Sequence, residues 1–257
     1  MSNILKCDFH RLSKSKLLYG VLIFTALISF SIMQLIRQDI RIGISVFGDL
    51  TAFRGIGDIV SIGIQYYNGL GLLIAVLLSV FIGQEYQWKT WQHKWIINKS
   101  RSGIYLSKAV FSVAGSVLVF LIYQITALVT SGQISNMLTE EYIAKIIGGI
   151  FVYAALGSVI CLLAMLIKSN TASIIVCVCY VLFSETAASL ISGIENFSES
   201  IGRFLGFGIK HSIYGMSTII SSLDFTIGHI APILINASVI IVLSTTLGAI
   251  IFHRYEL

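Results

Sequence analysis

Charge is what this sequence has least of. Asp, Glu, Lys and Arg make up 11% of its 257 residues, against about 25% in an average soluble domain. So few polar side chains cannot cover the surface of a water-soluble domain of this size. Proline is nearly absent, with one residue, and the 22 glycines follow no short repeat, which excludes collagen-like and low-complexity classes. Disorder is excluded by the opposite property, since 56% of the residues are hydrophobic and such a chain cannot stay solvated. Of the four cysteines, Cys161, Cys177 and Cys179 lie inside apolar runs and Cys7 lies near the N-terminus. None has a loop partner for a disulfide. The Cys177-x-Cys179 pair has no neighbouring His or Cys to complete a metal set, so the cysteines read as small, soft core residues. What remains is a polytopic membrane protein.

A phosphate-cradling loop is also missing. Gly83 leads to Lys89-Thr90, but Trp88 stands where the second glycine of G-x-x-x-x-G-K-[ST] must be. Without it, backbone N–H groups cannot close on a phosphate.

Six apolar segments are long enough to cross a bilayer, which takes about 20 residues of helix. They run over about 17–36, 64–83, 109–130, 146–167, 172–194 and 233–252. They are too continuously apolar for barrel strands, which alternate in polarity. The first has a basic lead-in but no small-residue cleavage site after it, so it reads as a retained span. The expected fold is an all-α membrane protein in a single transmembrane domain over 1–257, with six transmembrane helices. An even number of spans puts both termini on one side. Lys6, Arg11, Lys14 and Lys16 lie on that side, as do Lys89, Lys94, Lys99, Arg101 and Lys108 in the loop over 84–108. The positive-inside rule makes that side cytoplasmic, in a multi-pass protein of the cell membrane. Orientation thus accounts for the net charge of +5 without nucleic acid.

Outside the spans, residues 1–16 place Ile4, Leu5, Phe9 and Leu12 near helical spacing, with Lys6, His10, Arg11 and Lys14 around the remaining surface. That pattern predicts a basic amphipathic helix lying in the cytoplasmic interface. The loop over 195–232 carries apolar runs such as 201–209 that predict short helices at or in the membrane, and Pro232 opens the last span.

All three tryptophans fall in one segment, Trp88, Trp91 and Trp95, at i, i+3 and i+7. Two readings fit: an interfacial aromatic belt, or a helix with one face on the membrane and the other against a cytoplasmic partner. The stretch GQEYQWKTWQHKWIINKSRSGIYLSKAV resembles the first cytoplasmic loop of type-2 ABC exporter permeases. Gly83, Glu85, Tyr86, Thr90, Ser100, Arg101 and Lys108 match its pattern in order, while Lys89 stands where the family frequently has glycine. The resemblance implies a coupling helix between spans two and three that inserts into a separate ATPase subunit. Glu85, Tyr86, Trp88, Lys89, Thr90, Trp91 and Arg101 are its candidate coupling residues. It also implies that this chain binds no cofactor, that ATP and Mg sit on the partner ATPase, and that the permease dimerises with a second copy or a paralogue. The small size and tryptophan-rich loop resemble permeases that expel lantibiotics, bacteriocins or similar amphipathic peptides for self-protection.

Glu185 lies deep in the fifth span. A charge there costs at least about 2.5–3.5 kcal/mol. It is therefore expected to face a bundle interior or cavity, on a substrate path or bonded to Ser184, Thr186 or another span. Two rival functions stay open. An intramembrane hydrolase would use Glu140, Glu141 and His211, although Lys145 stands where that pattern needs arginine. A non-transporting assembly or receptor protein would bind a partner without substrate-stimulated ATP turnover.

Overall fold

The computed structural model describes residues 2–37, 56–88, 90, 101–132, 139–195, 199–222 and 225–254. Among them all regular structure is helical. A short α1 (Ser2–Ser13) turns into α2 (Lys16–Arg37) through Ser15, whose hydroxyl accepts from the Leu18 N–H. Then follow α3 (Ile56–Ile64), α4 (Leu70–Gln87), α5 (Arg101–Ser131), α6 (Glu140–Leu166) and α7 (Asn170–Glu195). The chain closes with α8 (Glu199–Lys210), α9 (Ile213–Ser221) and α10 (Ile230–Arg254). Among the described residues six helices are long and apolar enough to span a membrane: α2, α4, α5, α6, α7 and α10.

Helices α4 and α6 are the most buried of the six. Helix α6 packs on α5, α10 and α4, α7 packs on α4, and α2 packs on α5. The α5–α6 seam is close because of glycine. A Cβ on Gly157 would lie 2.7 Å from the Ser112 carbonyl oxygen and on top of the Ser116 hydroxyl. At this distance the Ser116 hydroxyl donates to the Tyr153 carbonyl (2.7 Å), and the Phe120 and Tyr153 rings stack at 4.6 Å. Other helices are tied in the same way. Ser29 donates to the Tyr123 carbonyl (2.9 Å), Ser244 to the Ser158 hydroxyl (2.9 Å), and Tyr105 to the Ser244 carbonyl (3.2 Å). In a membrane, where apolar burial gives no drive between helices, small residues and such bonds hold the bundle together.

Two spans differ from their sequence expectation. The second was expected to begin at 64, but Ile64 ends α3. The chain breaks over Gln65, a single 3₁₀ turn at Tyr66–Asn68 and Gly69 before α4 begins at Leu70. Gly69 takes φ 119°, which a residue with a Cβ rarely adopts. Apolar composition runs through the break and hides it. Side chains of other helices bond carbonyls in the last turns of α3. Tyr153 donates to Gly63 (2.7 Å), Gln124 to Val60 (3.3 Å) and Ser221 of α9 to Ser61 (3.2 Å). Broken helix at membrane depth requires such partners. The third span was expected to begin at 109, yet α5 is helical from Arg101. Lys108 is therefore not a loop charge but a buried helix residue.

Candidate functional site

At the end of the bundle that carries α1, three helices bring charged groups together. In α4, Phe81 and Glu85 stand one turn apart on a common face. In α5, Ser107 and Lys108 meet them, and α1 supplies Asp8 and Arg11. The Lys108 ammonium donates to Asp8 Oδ1 (2.7 Å) and to Glu85 Oε1 (2.6 Å). The Ser107 hydroxyl donates to the other Asp8 oxygen (2.7 Å). Arg11 forms a salt bridge with Glu85 and also donates to the Phe81 carbonyl. Both cations sit over the Phe81 ring, with the Arg11 guanidinium carbon 4.2 Å and the Lys108 ammonium 4.6 Å from its centroid. Lys108 and Asp8 are 0% exposed and Glu85 is 3% exposed. Charges withdrawn from water this far persist only when paired and hydrogen-bonded, and the negative face of the ring adds to the pairing.

The cluster explains how α1 sits. Ile4, Asp8 and Leu12 recur at i, i+4 and i+8 and are all buried. Lys6, Cys7, Phe9, His10 and Lys14 remain exposed. Arg11, expected on the outward basic surface, turns inward to Glu85 because it lies one turn from Asp8 and next to Leu12. One signal in the sequence pointed here: Asp8 is the only acid before Asp39, and it stands within the apolar stripe of a basic helix.

The predicted coupling residues divide. Glu85 is in the cluster, turned away from solvent. The Tyr86 hydroxyl donates to the Met165 carbonyl at the end of α6 (3.0 Å). A Tyr86→Phe variant is expected to lose about 1 kcal/mol of stability, read as a lower unfolding midpoint of the purified chain. Trp88 is 63% exposed. Thr90 is helical and half-buried, with no hydrogen-bond partner for its hydroxyl among the described residues. Arg101 is the first residue of α5. Lys89 and Trp91 lie outside the described residues.

Glu185 belongs to neither this cluster nor the bundle interior. Helix α7 turns Cys177, Val181 and Ala188 inward, and Glu185 lies at the edge of that stripe, exposed. The Ser184 hydroxyl bonds the Val181 carbonyl. The residues of the hydrolase reading are engaged separately. Glu140 and Glu141 are exposed, Lys145 lies over the Phe225 ring at 5.6 Å, and His211 stacks on Phe207 at 3.9 Å. An apolar cavity of about 10 Å³ between Tyr105, Met165 and Phe252 is far smaller than ligand sites of about 300–1,000 Å³.

Residues 4–184 match the family model described as ABC-2 family transporter protein. The match takes in every residue of the buried cluster. No curated protein matches the chain. Six helices fit to cross a membrane, and a family match over more than half of the chain, make this protein a member of the ABC-2 family of transporter proteins, the transmembrane permease type.

Proposed function

We propose that this permease exports or expels an amphipathic antimicrobial peptide, of the lantibiotic or bacteriocin kind, as a dimer driven by two cytoplasmic ATPase subunits. Both termini and the segment following α4 are cytoplasmic in this reading, and the opposite end faces outward. ATP closes the ATPase pair, and the segment from Glu85 to Arg101 passes that motion to the spans.

The buried cluster is the observation that supports this reading most. The coupling segment leaves from α4 and returns into α5, and Lys108 clamps those two roots together through Glu85. Arg11 and Asp8 add α1, which leads directly into α2. A displacement of the segment therefore moves spans one, two and three as a unit. Glu85 acts in this scheme by holding its neighbours, not by touching the ATPase, whereas exposed Trp88 is free to do so. Span five follows through its packing on α4. Helices α2, α7 and α10 bury little of their surface in the single chain, which leaves them open to a permease–permease contact.

The test is co-purification of the chain with its ATPase, followed by ATP turnover in lipid nanodiscs with a panel of antimicrobial peptides. Stimulation by one peptide supports the reading; turnover that no peptide changes removes the peptide substrate, and failure to co-purify removes the scheme. Glu85→Gln is expected to keep the ATPase bound. Its peptide stimulation should fall about tenfold or more, within the range of coupling free energies of about 1–3 kcal/mol. Normal stimulation in that variant would show that Glu85 transmits nothing.

A further inference from the structure

Helix α1 is tied to the bundle on one face and open on the other. Lys6, His10 and Lys14 recur at i, i+4 and i+8, and all three are exposed. An offset of two residues from Ile4, Asp8 and Leu12 carries them about 200° round the helix, opposite the buried face. Lys16, where α2 begins, is exposed as well. Within the buried cluster two carboxylates balance two cations, Arg11 and Lys108. The lysines of the open face have no such balance. Asp8 is the only acid in residues 1–38, and it faces inward to Lys108. Among the described residues no carboxylate pairs with Lys6, His10, Lys14 or Lys16.

Packing sets the depth of this face. Lys108 is the last charge of α5 before residues 109–131, which are all uncharged. Asp8 accepts from Lys108 (2.7 Å), and the Phe9 ring packs on Phe111, about one turn farther along, with centroids 6.4 Å apart. Helix α1 therefore lies at the mouth of span three, where charged helix gives way to apolar helix. Phe9 stands about 60° round the helix from Lys6 and stays exposed, as does Tyr19 in the first turn of α2. Rings so placed beside lysines suit the boundary between acyl chains and headgroups. From there the lysine stems reach phosphate oxygens, to which an ammonium group donates.

We infer that the open face of α1 binds anionic phospholipid headgroups, with Lys6 and Lys14 on their phosphates, Lys16 adding charge beside them and Phe9 entering the acyl layer. The charge of the face selects this occupant. A zwitterionic lipid brings no net charge to balance three lysines, whereas each basic residue near an anionic surface adds to the attraction. Bound lipid holds α1 against α5 from outside, while Asp8 and Arg11 hold it from within, so anionic lipid stabilises the seating of the buried cluster. The inference rests on the proposed orientation only for the leaflet, which is then the cytoplasmic one.

The test titrates the full chain in detergent micelles with phosphatidylglycerol or phosphatidylcholine and counts bound lipid by native mass spectrometry. The wild-type chain is expected to bind phosphatidylglycerol about tenfold more tightly. In the double variant Lys6→Gln, Lys14→Gln that preference should fall about threefold or more. The charge-keeping pair Lys6→Arg, Lys14→Arg should retain it, and so should Lys210→Gln on exposed α8. In nanodiscs, chymotrypsin should cut at Phe9 more slowly with phosphatidylglycerol than with phosphatidylcholine, and the glutamine pair should abolish the difference. Equal binding of the two lipids by the wild type, or an unchanged preference in the glutamine pair, overturns the site. If that pair keeps its lipid preference but no longer co-purifies with the ATPase, the face is a protein contact instead. Cleavage at the same rate in both lipids overturns the effect on seating. Neither ATPase nor peptide enters the lipid measurements, so the export reading can fail while the lipid site stands.

Discussion

Replacing Lys108 by methionine is expected to cost the permease about 3–5 kcal/mol, the usual penalty for removing one partner of a buried ion pair. The methionine fills the space but leaves Asp8 and Glu85 facing each other without the ammonium that both accept from. Arg11 still reaches Glu85, so the greater loss falls on Asp8 and α1 should detach first. Thermal unfolding of the purified chain measures the total, and protease cleavage within residues 2–13 measures the detachment. Adding Asp8→Asn to Lys108→Met removes one of the stranded charges. The double variant should recover part of the loss. A double variant less stable than either single one would mean that the groups do not act as one cluster.

The second large effect belongs to Gly157. A methyl group there meets the Ser112 backbone oxygen at 2.7 Å, and backbone cannot swing aside as a side chain can. Gly157→Ala must push α5 and α6 apart, stretching the Ser116–Tyr153 bond and the Phe120–Tyr153 stack, at about 1–3 kcal/mol. Gly20→Ala is the control, because nothing lies within 4 Å of a Cβ there. It should be neutral or stabilising by up to about 1 kcal/mol, the ordinary helix preference for alanine. Equal unfolding midpoints for the two variants would show that close approach at Gly157 does not hold the seam.

The number of membrane-crossing helices was legible because each needs a long apolar run and little else. Their ends were less so. Lys108 looks like a loop residue to any reading that counts charges as boundaries, and only its partners on two other helices make it a tolerable interior residue. The α3–α4 break was hidden for a similar reason, since Ile64, Tyr66 and Leu70 are apolar on both sides of it. Glu85 was legible as a residue of interest from the motif around it, but not the direction it faces. That depends on Asp8 and Arg11, 77 and 74 residues away in sequence, and no local spacing reports such a contact. Glu185 was legible as an anomaly, but its position at the edge of the inward stripe of α7 follows from packing against α4.

The long separation between Asp8 and Lys108 also orders the making of the protein. Helix α1 leaves the ribosome before α5, and its ammonium partner follows 100 residues later, about 5–20 s at ordinary elongation rates of about 5–20 residues per second. Until then Asp8 can remain charged in water while the first two spans enter the bilayer. Once α5 arrives, Lys108 and Glu85 need that carboxylate and Arg11 to remain at membrane depth. Seating of α1 is thus the step that completes insertion of the first three spans. A chain whose third span enters in the wrong orientation would leave α1 unseated and open to proteolysis, so the same joint reports whether the protein was threaded correctly.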